Sequence, residues 1–254
     1  MSYRLLAILL GCALAASLPV QAGLIGFYPF EGNILDSSGM GNHGTFGPIA
    51  PSLTASGYEG AAYQFGLGGA NTYLTVPINI NPSAMPALTM GAWVKVDDAS
   101  PIRQVLSQDD GVYDRSLGID WRGGGGWATF KGDGVLAGIP VTMGAWTFVA
   151  TAYDQDAQNV MLYVGNANGA QTASGSGSLG SGWAFTRIGM NPTFTEYFRG
   201  TIDEVFFFNK ALSGTELDAI RTCGVRPVPE PISSALFLFG AGAFGLKKFR
   251  RKKE

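Results

Sequence analysis

The sequence predicts an all-β sandwich, and three observations carry that prediction. Short apolar or alternating runs recur from Leu24 onward between turn residues: LIGFYPF, TYLTV, LTMGAWVKV, RQVLSQ, SLGIDW, GWATFK, WTFVATAY, NVMLYVG, WAFTRIGM and GTIDEVFFFN. Glycine reaches 37 residues while only 14% of the chain is charged, a composition of tight turns between strands rather than of charged surface helices. In LTMGAWVKV, Leu88, Met90, Ala92, Val94 and Val96 fall on one face at period two, with Thr89 and Lys95 on the other. Ten or more such strands make two sheets packed face to face.

The elements follow in chain order. Residues 1–22 read as a signal peptide: Arg4 in a short basic region, an apolar run from Leu5 to Leu18, and Val20 and Ala22 before the cleavage point. A rival lies inside it, since LLGC ending at Cys12 resembles a bacterial lipobox, although the apolar run before it is short and Leu10 fits poorly, and would leave a lipid-tethered cysteine. The sandwich occupies 23–223. TMGAW occurs twice within it, at Thr89 and Thr142, as two strand openings, because a solenoid needs three or more stacked units. One helix is signalled, by the capping box of Ser213 and Glu216 ahead of Leu217 and Ile220. With Cys12 removed with the signal, Cys223 is expected to be a free thiol, open to pairing between chains.

A proline-bracketed linker at 224–231 leads to fifteen uncharged residues, 232–246, expected to form a short membrane helix. At 1.5 Å per residue it is roughly 22 Å long, against a hydrocarbon core of roughly 30 Å, so the span is marginal. The tail 247–254 carries Lys247, Lys248, Arg250, Arg251, Lys252 and Lys253, which would hold that end in the cytoplasm and place the body outside.

Charge divides the chain. Residues 23–231 hold 18 acidic and 10 basic side chains, a net of −8, whereas 232–254 hold six basic and one acidic, a net of +5. An acidic body excludes nucleic acid as a partner, because such binders cluster Lys and Arg to displace counterions.

Catalysis finds little support. Glycosidases need two positioned carboxylates about 5–9 Å apart. Asp203 and Glu204 are adjacent, so on a regular strand they face opposite sides. Asp109 with Asp110, and Asp97 with Asp98, lie in turn-like stretches and read as surface charge and turn hydrogen bonds. The single histidine, His43, sits in a Gly-Asn turn, and Cys223 has no histidine near it in sequence.

Val228, Pro229, Glu230 and Pro231, followed by a short apolar stretch and a terminal basic cluster, resemble the PEP-CTERM sorting signal of Gram-negative bacteria that make exopolysaccharide. The resemblance implies that Pro229, Glu230 and Pro231 are recognised by an exosortase, a membrane-embedded cysteine transpeptidase. The protein is then held transiently at the inner membrane and passed to the cell envelope or extracellular matrix.

The body has its own resemblance. FYPFEGNILDSSGMGNHGT, GAWTFVATAYD and FRGTIDEVFFFNKALS together resemble the LamG-like jelly-roll, a relative of the concanavalin A type lectins and glucanases, over Gly23 to about Cys223. That implies two antiparallel sheets in jelly-roll order. Some relatives hold a structural calcium near the DSSG turn and the closing strand, which nominates Asp36, Asn42 and Asp203; the alternative is that these residues only make turn and capping hydrogen bonds. For sugar contact, aromatic platforms beside polar groups are wanted. Trp121 and Trp127, which flank RGGGG, and Tyr197 in TEYFRG are the candidates.

The leading expectation is an exported, non-catalytic binding module of the envelope or matrix, contacting polysaccharide or an envelope protein. The alternatives are a polysaccharide-active hydrolase or lyase on the same fold, and a purely structural or adhesive matrix protein.

Overall fold

The structure is a computed structural model in which residues 23–225 are described. The signal peptide at 1–22, the Pro229–Pro231 motif, the helix at 232–246 and the basic tail lie outside the described residues. The C-terminal membrane helix is withdrawn from the fold class. Among the described residues no helix is long and apolar enough to cross a membrane, and fifteen residues fall short of the roughly 20 that a span requires.

Among the described residues fifteen strands run β1 (Leu24–Tyr28), β2 (Thr45–Phe46), β3 (Ser52–Thr54), β4 (Ala62–Phe65), β5 (Leu74–Val76), β6 (Ala87–Val96), β7 (Ile102–Ser107), β8 (Ser116–Asp120), β9 (Trp127–Phe130), β10 (Val135–Ile139), β11 (Trp146–Asp154), β12 (Asn159–Asn166), β13 (Gly169–Ser176), β14 (Thr186–Ile188) and β15 (Gly200–Phe208), followed by one α-helix, α1 (Gly214–Cys223). They form two antiparallel sheets. Sheet A is ordered β13-β12-β11-β6-β15-β4-β3, with β1 also paired to β15, and sheet B is ordered β10-β9-β8-β7-β14-β5-β2. Each of the ten runs read from the sequence contains a strand. The central pair of sheet A, β6 and β11, is in continuous register from Trp146↔Lys95 to Asp154↔Ala87.

Between the sheets lies the main core. The period-two face of β6, Leu88, Met90, Ala92, Val94 and Val96, packs there against Val105, Leu117, Ile119 and Trp127 of sheet B. A polar knot ties the sheets through this apolar layer. The Tyr153 hydroxyl lies 2.6 Å from Thr129 Oγ1, donates to Ser116 O and accepts from Ser116 N, while Thr151 Oγ1 lies 2.9 Å from Thr129 Oγ1. At the end of the core, buried Arg115 donates to the carbonyls of Ile80, Met85 and Pro86 and lies over the Tyr153 ring.

A second core, not foreseen from the pattern, covers the outer face of sheet A. Phe27, Trp93, Phe148, Tyr163, Phe206 and Phe208 pack under Leu217 and Ile220 of α1. This explains why β15 is buried along its whole length and reads as a continuous apolar run rather than an alternating one. The helix begins as its capping box dictates: Ser213 accepts from the Glu216 backbone N–H, and the Glu216 carboxylate accepts from the Ser213 N–H at 2.8 Å. Tyr163 on β12 donates to Asp218, which also accepts from Arg221, so α1 is pinned to sheet A.

Cys223 closes α1 and is disulfide-bonded.

Candidate functional site

α1 covers sheet A, whereas the outer side of sheet B carries Tyr197 beside polar groups of the sheet. Leu117 and Ile119 of β8 point into the core, so Ser116, Gly118 and Asp120 take the opposite face. Gln104 lies across from Gly118 in β7, and Tyr197 bridges to Gln104 from the other side. One row of the sheet therefore reads Tyr197, Gln104, Gly118, Ala128. Gly118 is required there: a Cβ would stand 2.3 Å from Arg103 O and 2.5 Å from Gln104 Oε1. Ser116 Oγ donates to that same Gln104 Oε1 at 2.6 Å.

Trp121 follows directly on β8 and is 65% exposed. By strand spacing, its backbone stands about 14 Å from that of Tyr197. Trp127, the other nominated indole, is fully buried at 0% exposure in the main core. Its position at the start of an inward-alternating strand removes it from any solvent-borne ligand, and the flanking RGGGG does not change which way it faces.

Beside Trp121 the sheet carries a fixed charge pair. Asp120 is wholly buried and accepts from Arg122 Nε, Nη2 and backbone N–H. The Arg122 head also lies over the rings of Tyr113 and Phe130 and donates to the Tyr113 hydroxyl at 3.2 Å. Tyr113 adopts a left-handed backbone, φ 60°, unusual for a residue of its size and a mark of a constrained loop.

The neighbouring loops add groups that sequence reasoning missed. Asn191 Nδ2 donates to Asp109 Oδ2 at 2.9 Å and to Glu196 Oε2 at 3.0 Å. Asp109, expected to be surface charge, is buried, because its carboxylate also accepts from the Asp114 N–H. Burial raises the Glu196 carboxyl above its ordinary range. Burial raises Asp114 to about 6, with Asp110 and Asp109 adding to it. On the rim, Trp183 and Phe194 are exposed, with Trp183 Nε1 donating to Thr193 Oγ1. Nothing in the spacing of NPTFTEYF marks Asn191 and Glu196 as partners. They meet because the loop folds back over β7, where Gln104 N donates to Glu196 O.

The three residues nominated for calcium lie in two places. Asp36 and Asn42 share a turn, in which the Asp36 carboxylate accepts from the N–H groups of Phe27, Ser38 and Asn42 and from Ser38 Oγ. Four donors account for the roughly four lone-pair sites of a carboxylate. Those hydrogen bonds hold the Asp36 carboxyl below its usual range against the opposing effect of burial. Asn42 donates its amide to Ile25 O, and His43 Nδ1 accepts from Asp36 N. Asp203 instead clamps the 57–60 turn, accepting from Tyr58 N and Glu59 N. No group of three or more His, Cys, Asp or Glu among the described residues is placed to hold a metal ion, and Asp36 does not fit a cation that would have to displace its four donors.

At Asp203 the strand breaks its alternation. The register of β15 against β6 shifts between Asp203 and Phe206, and Glu204 takes φ 51°. The two carboxyls are thereby drawn into one acidic group with Glu31 and Glu59. Burial pushes Asp203 up to about 7, and burial together with the Asp203, Glu59 and Glu31 charges pushes Glu204 up to about 8.

A model of the concanavalin A-like lectin/glucanases superfamily matches residues 67–218. The chain belongs to that superfamily. A second model, the PEP-CTERM protein-sorting motif, matches residues 227–252. No curated protein matches the chain. Among solved structures of similar fold is domain 4 of AbnA, an extracellular arabinanase from Geobacillus stearothermophilus, solved with arabinotriose, at 19% identity and TM-score 0.57, covering 78% of this chain and 98% of that one. The binding domain of Paraclostridial Mosquitocidal Protein 1 aligns at 13% identity and TM-score 0.59, covering 80% and 52%. The binding domain of botulinum neurotoxin DC, solved with rat synaptotagmin II, aligns at 10% and 0.60, covering 81% and 52%. The chain thus spans about half the length of the toxin binding domains. At these identities the likeness shows the fold alone and leaves function to the site.

Proposed function

We propose that this superfamily member is an exported, non-catalytic binding module of the cell envelope or extracellular matrix, and that it holds polysaccharide on the outer side of sheet B between Trp121 and Tyr197. The single observation that carries the reading is the exposed indole of Trp121, set in the chain between the fixed partners Asp120 and Arg122. An apolar platform for a sugar face thus adjoins an arginine head that is 31% exposed and held in place by buried Asp120. A separation of about 14 Å between Trp121 and Tyr197 along the sheet suits an oligosaccharide better than a single sugar. The similar arabinanase domain was solved with an oligosaccharide and a similar toxin domain with a protein, so the fold supports either class of partner, and the flanking aromatic and carboxylate groups favour the sugar. Asp109 and Glu196 share one amide donor, and the burial of Asp109 favours a scaffolding role over a hydrolytic pair.

The sorting motif supports export through an exosortase-type system. We place the processing signal at Pro229, Glu230 and Pro231, with the basic cluster from Lys247 to Lys253 as the stop. Changing these three motif residues to Ala should leave a longer, unprocessed form in the host cell. An unchanged mature mass would remove the motif from the account.

Binding is tested by a glycan array with the protein and its Trp121→Ala variant. Retention of one or more polysaccharides by the wild type, weakened about tenfold or more by Trp121→Ala at unchanged melting temperature, is the expected result. Equal binding by the two proteins would move the site elsewhere, and release of reducing sugar from bound glycan would replace the binding module with an enzyme.

A further inference from the structure

We infer that the cleft between the end of β10 and the β12–β13 hairpin is a second ligand site, which takes an N-acetylated sugar by its acetamido group. The cleft holds about 360 Å³, within the range of about 300–1,000 Å³ in which small-molecule sites fall. It opens where the interior of the sandwich changes from apolar to polar. Val164 on β12 and Ile139 on β10 belong to the main core and form its floor. Two residues beyond Val164 the same face of β12 carries Asn166, and the residue paired with Val164 across the hairpin is Gln171. Opposite them, Pro140 and Thr142 lead the chain out of β10. An apolar floor is thereby rimmed by amides and a hydroxyl.

The rim groups are neutral and unengaged. Asn166 Oδ1 accepts from the Asn168 N–H at 2.8 Å, which leaves Asn166 Nδ2 without a partner among the described residues. The Gln171 side chain and the Thr142 hydroxyl likewise make no hydrogen bond among the described residues. No residue lining the cleft is charged. Arg221 reaches the hairpin from α1 by donating to Asn166 O, but its guanidinium is held by Asp218. A carboxylate or phosphate entering the cleft would give up its water without gaining a cation. An uncharged ligand suits this lining.

The spacing of the two amides selects the group they hold. Asn166 and Gln171 are diagonal neighbours on the hairpin, because Gln171 is paired with Val164, so their side chains start about 7–8 Å apart. A trans secondary amide points its N–H and C=O in opposite directions. Between the two side chains it can accept from Asn166 Nδ2 and donate to Gln171 Oε1, each at about 2.9 Å. The methyl of an acetamido group then lies against Val164 and Ile139, and the sugar hydroxyls meet exposed Thr142 and Asn168 at the mouth. A sugar with a hydroxyl in place of the acetamido group would leave that floor uncovered. Trp121 does not line the cleft. The choice of a sugar as bearer of the amide rests on the proposed function, whereas the cleft and its amide pair do not.

The test is isothermal titration calorimetry of the full chain with three probes. These are diacetylchitobiose, cellobiose, which has hydroxyls in place of the acetamido groups, and N-acetylglycine methylamide, which has the amide without a sugar. The acetylated disaccharide is expected to bind with a Kd of about 1 mM or lower, and the other two about tenfold or more weakly. Gln171→Ala and Gln171→Glu should each weaken the acetylated disaccharide about fivefold. Because Gln171 is exposed, both variants should keep the wild-type melting temperature. Trp121→Ala should leave this binding unchanged. Absent binding, equal affinity for either control probe, or undiminished binding in both Gln171 variants overturns the proposal. Binding lost in Trp121→Ala and kept in the Gln171 variants belongs to the outer side of sheet B, which overturns the cleft and leaves the proposed function standing. Glycan-array binding that is indifferent to Trp121→Ala but lost in Gln171→Ala does the reverse.

Discussion

The guanidinium of Arg122 closes on the carboxylate of Asp120 two residues before it, with Nε 2.9 Å from one oxygen and Nη2 2.5 Å from the other. Asp120 is fully buried, whereas the Arg122 side chain is 31% exposed. The pair is therefore anchored from the protein side, with its cation reaching toward solvent next to Trp121. Removing the cation leaves a buried charge without its partner. Arg122→Ala should cost roughly 2–4 kcal/mol, toward the lower end because solvent reaches Arg122. Urea denaturation reads this as a lower midpoint at constant slope. Arg122→Lys should restore only part of it, since an ammonium lacks the two-pronged geometry. A loss below about 0.5 kcal/mol would make the pair an incidental surface contact.

Glu204 supplies a test with a pH signature. Its folded carboxyl is raised to about 8 by burial and by the Asp203, Glu59 and Glu31 charges, so the folded state binds a proton that the unfolded chain releases near the ordinary Glu value of about 4.3. Stability should therefore fall as pH rises through that window and level off above it. Glu204→Gln has no proton to lose. Its melting temperature should gain on the wild type from pH 4.5 to 8.5, with the smallest difference at the acid end. A gap that is constant across the range would show that Glu204 does not titrate as its surroundings dictate.

The Tyr153 hydroxyl is enclosed by Thr129, Thr151 and Ser116. Tyr153→Phe keeps the ring over which Arg115 lies but strands the Ser116 N–H in the core. A cost of about 1–3 kcal/mol is expected. The mutant should stay folded, and equality with the wild type in calorimetry would mean that the knot between the sheets adds nothing.

Ser213→Ala removes one half of the α1 capping box and should destabilise by about 1 kcal/mol. Because α1 covers the Trp93, Phe148 and Phe206 rings, hydrogen exchange of β6 and β11 should also rise in this variant. Exchange changes confined to α1 would uncouple the helix from the second core.

The strands that span the core were legible in the sequence because alternation survives there, as in Leu88 to Val96. β13 was not, since Gly169 to Ser176 lie exposed and polar at an edge, where burial imposes no pattern. β2 and β3 were too short to carry one. The second core escaped for the opposite reason: Phe206, Phe207 and Phe208 are all buried, two toward α1 and one toward sheet B, and a strand covered on both sides shows no period. At the candidate site, Trp121 and Tyr197 could be named from their polar, glycine-rich surroundings. The same surroundings pointed equally to Trp127, and only its inward place on β9 separates the two indoles. Asn191, Asp109 and Glu196 are brought together by loops from distant parts of the chain, a meeting that no local spacing encodes.

The helix that roofs sheet A gives the molecule a front and a back. Val225, the last described residue, is tucked into the second core, so the polypeptide leaves the domain from the roofed side, opposite the face that carries Tyr197, Gln104 and Asp120. A module tethered by the segment that bears its sorting motif would thus turn its back to the point of attachment and its polar, aromatic face to the surroundings, displayed by the order of its layers without any need for a hinge.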